Sequence, residues 1–456
     1  MLMKGLFVKV LLALLLGSIG SAQMSPMASD TANWDAWLVN AEAIAAEVEA
    51  PSQAVREVEV QELISLAETR DEAGLEQISY WNAAAPSYRW TQVLADAYRS
   101  GPRNPAVFRT FALLNVGIYY ATVATWKAKY AGEASTMDAG TPAAFSEDLE
   151  VLVPSGQHPS FPSEHAAVAV VASEILAYLQ PDNADSFRAM ADEAMESRLL
   201  AGANFRSDIE AGKVIGRAVA EEIIAWAKAD GSDTAWDYTA PEGTLFTVES
   251  PVFPMTGTWK TLAIENGQQF RAPEPPAYDS ERIQADLEEI KAVERTLGNM
   301  HQASYWAIFY TGYEVWYDLA SKLLFEKRMA DNAPHMAKIY AALGVAAYDS
   351  IVGCFDSKYE YVYARPSQID ASVEPLIPVP PHPSYPSAHS CGSGAMAHVI
   401  THFFPHAKDD VHTLAQEAGQ SRILAGIHYQ IDNEAGLELG EKVGKVVIDK
   451  IKALSN

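Results

Sequence analysis

The chain has 456 residues, 33 of them Lys or Arg and 59 Asp or Glu, for a formal net charge of −26. Hydrophobic residues make up 49%, enough to bury a large core and too many for a disordered chain. So acidic a balance excludes nucleic acid and anionic membrane surfaces as main partners, because both demand a positive footprint. Two cysteines are too few for a disulfide framework or a cysteine-rich metal site.

Met1 to Gln23 carries Lys4 and Lys9, then a wholly apolar run from Val10 to Leu16, then the small residues Gly20, Ser21 and Ala22. That is the three-part pattern of a secretory signal, assigned to residues 1–22. A retained membrane helix needs about 20 apolar residues. The sequence therefore predicts an exported chain, periplasmic or secreted, with no integral membrane segment once the signal is removed.

The remainder repeats itself. His158-Pro-Ser-Phe-Pro-Ser163-Glu-His165 returns as His382-Pro-Ser-Tyr-Pro-Ser387-Ala-His389. Ser197-Arg198 with Asn204 and Asp208 returns as Ser421-Arg422 with His428 and Asp432. Ser79-Tyr80-Trp81 returns as Ser304-Tyr305-Trp306, and Lys129-Tyr130 as Lys358-Tyr359. Residues 23–237 are thus a first repeat, 238–279 a connector and 280–456 a second repeat.

In chain order, the first repeat predicts helices over 108–129, 165–178 and 208–228, from apolar periodicity and from cap residues at their starts. The connector is rich in proline, threonine and valine, and predicts extended chain with short strands. The second repeat predicts helices over 336–354, 389–404 and 433–454. Asp208 and Asn433 are expected to cap the two closing helices. The fold class is all-α, a helical bundle whose two homologous halves are expected to pack around a pseudo-twofold axis.

Three signals in the second repeat belong together. They are Lys358 with Arg365-Pro366, Pro386-Ser387-Ala388-His389, and Ser421-Arg422 followed by His428. Each arises by chance about 0.05 times in this length, and all three on the order of 10⁻⁴ times, so the set is specific although its parts are weak. Arginine forks and a lysine point charge suit an oxyanion. A helix start adds free N–H donors. Two histidines can divide the chemistry, one bonding to the central atom and one moving a proton. Asp432 follows His428 by four residues and, on a helix, would share its face and fix its tautomer.

These residues resemble the signature of the type 2 phosphatidic acid phosphatase (PAP2) and vanadium-dependent haloperoxidase superfamily. The soluble, duplicated, exported form is similar to the bacterial haloperoxidase branch. The resemblance implies a helical bundle that binds vanadate, with phosphate able to occupy the same site. Lys358, Arg365 and Arg422 would hold equatorial oxygens, and Ser387 and the N–H of Ala388 would add hydrogen bonds. His428 would be the axial ligand and His389 the acid–base group for peroxide. Asp432 matches the acid that commonly follows the ligand histidine. The family often has glycine where Ala388 stands; alanine keeps the N–H but not glycine's backbone freedom.

The first repeat keeps Lys129, Ser163, His165 and Arg198. The Arg365 position falls near Thr136, and the His428 position is Asn204, which is neither a nucleophile nor a good axial ligand. One working site is expected, within residues 340–440.

The expected function is halide oxidation by hydrogen peroxide, with iodide or bromide favoured over chloride. The alternatives are a soluble acid phosphatase acting on phosphomonoesters through a phosphohistidine at His428, and a non-catalytic anion-binding protein. His382 is expected near the halide pocket, or as an ordinary loop histidine. Cys354 and Cys391 either pair or remain two buried thiols. Trp259 either packs in the core or belongs to a lid.

Overall fold

The computed structural model describes residues 38–100, 106–131, 140–153, 158–236, 239, 241–308 and 313–453. The signal segment, Thr136, Tyr238 and Leu454 lie outside these residues. Among the described residues there is no strand, and the architecture is all-α.

The first half contains α1 (Ala41–Ala45), α2 (Gln53–Glu68), α3 (Glu72–Trp81), α4 (Pro86–Ser100), α5 (Val107–Lys129), α6 (Glu164–Leu179), α7 (Ala184–Leu200) and α8 (Arg206–Lys228). The second contains α9 (Glu281–Ala292), α10 (Leu297–Ile308), α11 (Tyr313–Glu326), α12 (Ala333–Tyr361), α13 (Pro366–Ile369), α14 (Ala388–Phe403), α15 (Lys408–Leu424) and α16 (Gln430–Ala453).

Two helices lie at the centre. In α5 every residue except Lys127 and Ala128 is buried, because its apolar positions cover the whole circumference. Its polar side chains are satisfied inside. Arg109 donates to Asp230 Oδ2 at 2.7 Å and to the carbonyl of Ala227 at 2.8 Å. Asn115 accepts from Thr91 Oγ1 at 2.9 Å, and Thr122 and Thr125 bond back to carbonyls four residues earlier. Helix α12 packs against α5. Both stretches are long and apolar enough to cross a membrane, yet 100% and 94% of their most apolar windows are buried by protein. One continuous apolar cluster runs from Val39 to Ile451 and joins the two halves.

Around this core the same local contacts recur 224 or 225 residues apart. Ser163 N donates to Asp208 O at 2.9 Å, and Ser387 N to Asp432 O at 2.9 Å. Trp81 Nε1 donates to Glu193 at 2.9 Å, and Trp306 Nε1 to Glu417 at 3.1 Å. Gly202 and Gly426 both hold positive φ, 68° and 72°, in the tight turn that returns each chain to its site. Gly216 and Gly440 sit where α8 crosses α6 and α16 crosses α14. A Cβ on Gly440 would lie 2.2 Å from the carbonyl oxygen of Cys391, so the closing helix packs backbone to backbone.

The structure corrects several sequence expectations. Helices α6 and α14 begin one residue earlier than predicted, at Glu164 and Ala388. Asp208 and Asn433 do not cap their helices. Asp208 stands third in α8 and accepts from Phe205 N at 2.9 Å. Asn433 stands fourth in α16, where its side chain accepts from Ser390 Oγ at 2.8 Å.

The connector forms no strand among its described residues, because its backbone donors go to side chains instead. The carboxylate of Asp349 on α12 accepts from the N–H groups of Leu262, Ala263 and Ile264 at 2.6–2.9 Å. Ser357 Oγ accepts from Ala272 N at 3.0 Å. Trp259 is buried beside Phe108, which makes it core rather than lid.

Candidate active site

Four chain segments deliver the site, each by a local cause. Lys358 stands in the last turn of α12, where the C-terminal carbonyls favour a cation. Val362, with φ of 46°, ends that helix. Arg365 follows at the start of α13, its N–H held by Gln368 Oε1 at 2.8 Å. Ser387 occupies the cap position of α14, with His389 in the first turn. Arg422 closes α15. The chain then turns at Gly426 and reaches His428 just before α16.

Lys358, Arg365 and Ser387 are fully buried, and Arg422 and His428 nearly so. Lys358 Nζ donates to the carbonyls of Pro383 and Ser384, both at 2.7 Å. Arg365 donates to the carbonyl of Ile427 at 2.7 Å and to that of His382 at 3.1 Å. Arg422 donates to Ser421 Oγ at 2.9 Å and to the carbonyl of Ala303 at 2.5 Å. Burial lowers Lys358 to about 8, Arg365 to about 10 and Arg422 to about 9. All three are predominantly cationic at neutral pH.

The histidines have definite tautomers. Arg365 Nη1 lies 2.9 Å from His428 Nε2, and a guanidinium can only donate. Nε2 therefore carries the lone pair and Nδ1 the hydrogen, which it donates to Asp432 Oδ2 at 2.6 Å. The same Oδ2 accepts from Ser384 Oγ at 2.6 Å and Tyr429 N at 3.1 Å. Burial, with Arg365 and Lys358 next, holds His428 well below the usual histidine range. Burial raises Asp432 to about 6, leaving it ionised at pH 7. Helical spacing does not produce this pair, since His428 precedes α16; the turn into the helix does.

His389 Nε2 lies 3.0 Å from the carbonyl oxygen of Trp306. That oxygen only accepts, so Nε2 carries the hydrogen and Nδ1 is the free base. Burial, followed by the charge of Arg422, lowers His389 to about 3. His382 Nδ1 lies 3.1 Å from both Arg365 Nη2 and the carbonyl oxygen of Pro383, and its ring lies 5.3 Å from that of Phe355. It therefore belongs to the site rather than to a bland loop. Cys354 and Cys391 are buried and unbridged. Ala388 adopts negative φ within the helix start, so glycine's freedom is not required there.

The donor set fits an oxyanion. Lys358 and Arg365 stand near one carboxylate, Asp432, and Arg422 stands near His389. Ser387 Oγ is buried without a hydrogen-bond partner, whereas its counterpart Ser163 caps its helix by accepting from Ala166 N at 3.3 Å. An orphaned hydroxyl among cations is what a tetrahedral or trigonal-bipyramidal anion would satisfy.

Residues 115–231 match the family model of the PAP2 superfamily. Residues 406–456 match that of the VCPO second helical-bundle domain. The two matched segments lie one in each half of the chain. Its fold is similar to that of a bacterial vanadium-dependent iodoperoxidase, at 20% identity and a TM-score of 0.59, over 88% of this chain and 98% of that one. It is also similar to a bacterial vanadium-dependent chloroperoxidase in its holo form, at 13% identity and a TM-score of 0.59, over 79% and 96% of the two chains. No curated relative matches in sequence.

Every second-repeat residue singled out from the superfamily signature converges on this one place. Sequence reasoning missed Ser384, which shares Asp432 with His428, and the carbonyls of Ala303 and Trp306 that α10 presents to Arg422 and His389. Backbone groups leave no mark in a sequence. Ser384 did leave one, as Ser160 in the duplicated His-Pro-Ser segment.

Proposed function

We propose that the protein is an exported vanadate-dependent haloperoxidase that oxidises halide with hydrogen peroxide, iodide or bromide in preference to chloride. The observation that carries this reading is the lone pair of His428 Nε2, aimed into a cluster of buried cations and fixed there by Asp432. A neutral imidazole with its lone pair on the exposed nitrogen is what a ligand histidine must be.

Lys358, Arg365 and Arg422 would hold vanadate through charge-assisted donors. Ser387 Oγ and the Ala388 N–H would add hydrogen bonds, and His428 Nε2 its lone pair. Vanadate, when bound, supplies the Lewis-acidic centre at which hydrogen peroxide is activated toward halide. His389 would take the peroxide proton at Nδ1, since its Nε2 hydrogen is committed to Trp306. Lys358 would assist by charge. The halide order follows ease of oxidation, in which iodide precedes bromide and bromide precedes chloride.

The PAP2 match favours a second reading on the same residues. His428 Nε2 would attack the phosphorus of a phosphomonoester, forming a phosphohistidine as the ester P–O bond breaks. His389 Nδ1, once it has taken up a proton beside the bound phosphate dianion, would pass that proton to the departing oxygen. One assay separates the two. Purified protein is reconstituted with orthovanadate and offered peroxide with iodide, bromide or chloride, while vanadate-free protein is offered an aryl phosphate. Halide oxidation that His428→Ala abolishes is the expected outcome. Robust phosphate release with no halide oxidation at any vanadate level overturns it in favour of the phosphatase.

A further inference from the structure

Helix α10 borders the active site without belonging to the main core. Among its described side chains none joins the continuous apolar cluster, and only Ala303 enters a smaller one, with Ala425 and Ile427. Polar contacts therefore carry much of its attachment. Two of them are made to the site itself: the carbonyl of Ala303 accepts from Arg422, and that of Trp306 from His389 Nε2 at 3.0 Å. The third lies outside the site. Trp306 is fully buried, and its indole Nε1 donates to Glu417 at 3.1 Å. Glu417 stands on α15, five residues before Arg422.

On a helix the side chain and the carbonyl of one residue keep a fixed relation. Trp306 stands in the last turn of α10, where carbonyls have no partner four residues on and are left to accept elsewhere. Its indole points sideways to α15. Anchoring the indole sets the rotation of α10 about its axis, and with it the place where the Trp306 carbonyl meets His389. That carbonyl only accepts, so it decides which His389 nitrogen carries the hydrogen.

The first half holds the same anchor without this consequence. Trp81 Nε1 donates to Glu193 at 2.9 Å, and Arg198 follows Glu193 by five residues. There the helix stops at Trp81, and the side chain of Asn82 takes Arg198. Among the described residues no hydrogen bond joins His165 to Trp81. In the second half Ala307 stands where Asn82 does, and α10 runs on to Ile308.

We propose that Glu417, acting through the Trp306 indole, is a positioning residue for His389. Its carboxylate fixes the end of α10, the Trp306 carbonyl then keeps the hydrogen on His389 Nε2, and Nδ1 is left free as the base. The acid–base role of His389 is the one proposed above, on which this assignment rests.

The test reads the His389 tautomer in long-range proton–nitrogen spectra of the ligand-free full chain, with His389→Gln to assign the signal. Wild type should show hydrogen on Nε2 alone. Glu417→Leu removes the acceptor and should show both tautomers. Glu417→Gln keeps an amide oxygen for the indole and should show the single one again. Trp306→Phe removes the donor and serves if the leucine variant does not fold. Glu193→Leu breaks the first-half anchor and should leave the His389 spectrum and the turnover as in wild type. In vanadate-loaded protein, Glu417→Leu should lower kcat for iodide oxidation roughly tenfold or more, since a positioned acid–base group contributes about 10²–10⁴-fold. In His389→Gln protein it should cost nothing further. A single Nε2 tautomer in folded Glu417→Leu or Trp306→Phe protein overturns the inference, as does an equal effect of Glu193→Leu. If wild type oxidises no halide, the haloperoxidase reading fails, while the spectra still decide the role of Glu417.

Discussion

Arg365 Nη1 and His428 Nε2 lie 2.9 Å apart, and this contact determines where the His428 hydrogen resides. Long-range proton–nitrogen correlation spectra of the ligand-free protein should show His428 protonated at Nδ1 and bare at Nε2 at pH 7. Arg365→Ala removes one of the charges that depress the ring, so its titration should move to higher pH. A ring protonated at Nε2 in the wild type would refute the arrangement.

Asp432 holds that tautomer and is held in turn by Ser384. Asp432→Asn offers His428 an ambiguous amide in place of an acceptor. Orthovanadate affinity should fall roughly 10- to 100-fold, the usual loss when the partner of a ligand histidine is removed. Ser384→Ala should cause a smaller loss in the same direction. Equilibrium titration measures both, and an unchanged affinity for Asp432→Asn would count against the axial role of His428.

His389 is held neutral, with its folded value lowered to about 3 against roughly 6.5 for a free histidine. Between those values the unfolded chain binds the proton that the folded chain refuses. Its contribution is therefore complete above about pH 6.5 and is lost as pH falls toward 3. The drop in melting temperature between pH 7 and pH 4 should be shallower in His389→Gln than in wild type. Asp432, raised to about 6, acts with the opposite sign between roughly pH 4 and 6, but it is common to both proteins and cancels in the comparison.

Gly440 lets α16 lie against the backbone of α14. Gly440→Ala places a Cβ 2.2 Å from the Cys391 carbonyl oxygen and 2.8 Å from Ala395 N, so the helices must separate. A loss of about 1–3 kcal/mol, the typical cost of overpacking, is expected in denaturant melts. Anion binding should weaken too, because Ser387 and His389 ride on α14.

Cys354 and Cys391 are unbridged and buried, and buried thiols are inert. A thiol reagent should find neither in the native protein and both in guanidinium. Two thiols missing after denaturation without reductant would mean a disulfide.

Much of this site was legible because its charged side chains sit in short motifs that occur twice. Duplication provided a control within one chain: Asn204 against His428 marked the half without a ligand histidine. The link between Trp306 and Glu417 had a signal as well, since Trp81 and Glu193 recur at nearly the same spacing, 112 residues against 111. The caps were misplaced for a different reason. Asp208 acts from the third helical position, reaching back to the N–H of Phe205, and Asn433 stands fourth and bonds Ser390 instead; a residue-type rule for first positions does not distinguish these. The connector looked like strand because its composition is that of a strand; Asp349, far along the chain, takes the donors a neighbouring strand would have used.

The near-total burial of α5 bears on how such a chain is made. A segment surrounded by protein on every side is, before folding, one that a secretion channel can release sideways into lipid. Against that stand Arg109 near its start, Asn115 in its middle and Lys127 and Lys129 at its end. A charged residue at a helix centre costs about 2.5–3.5 kcal/mol on insertion, and less near the ends. The polar groups that the finished core satisfies so fully would thus serve twice: in the export proposed for this chain they would keep the helix a poor passenger for the bilayer, until its partners arrive.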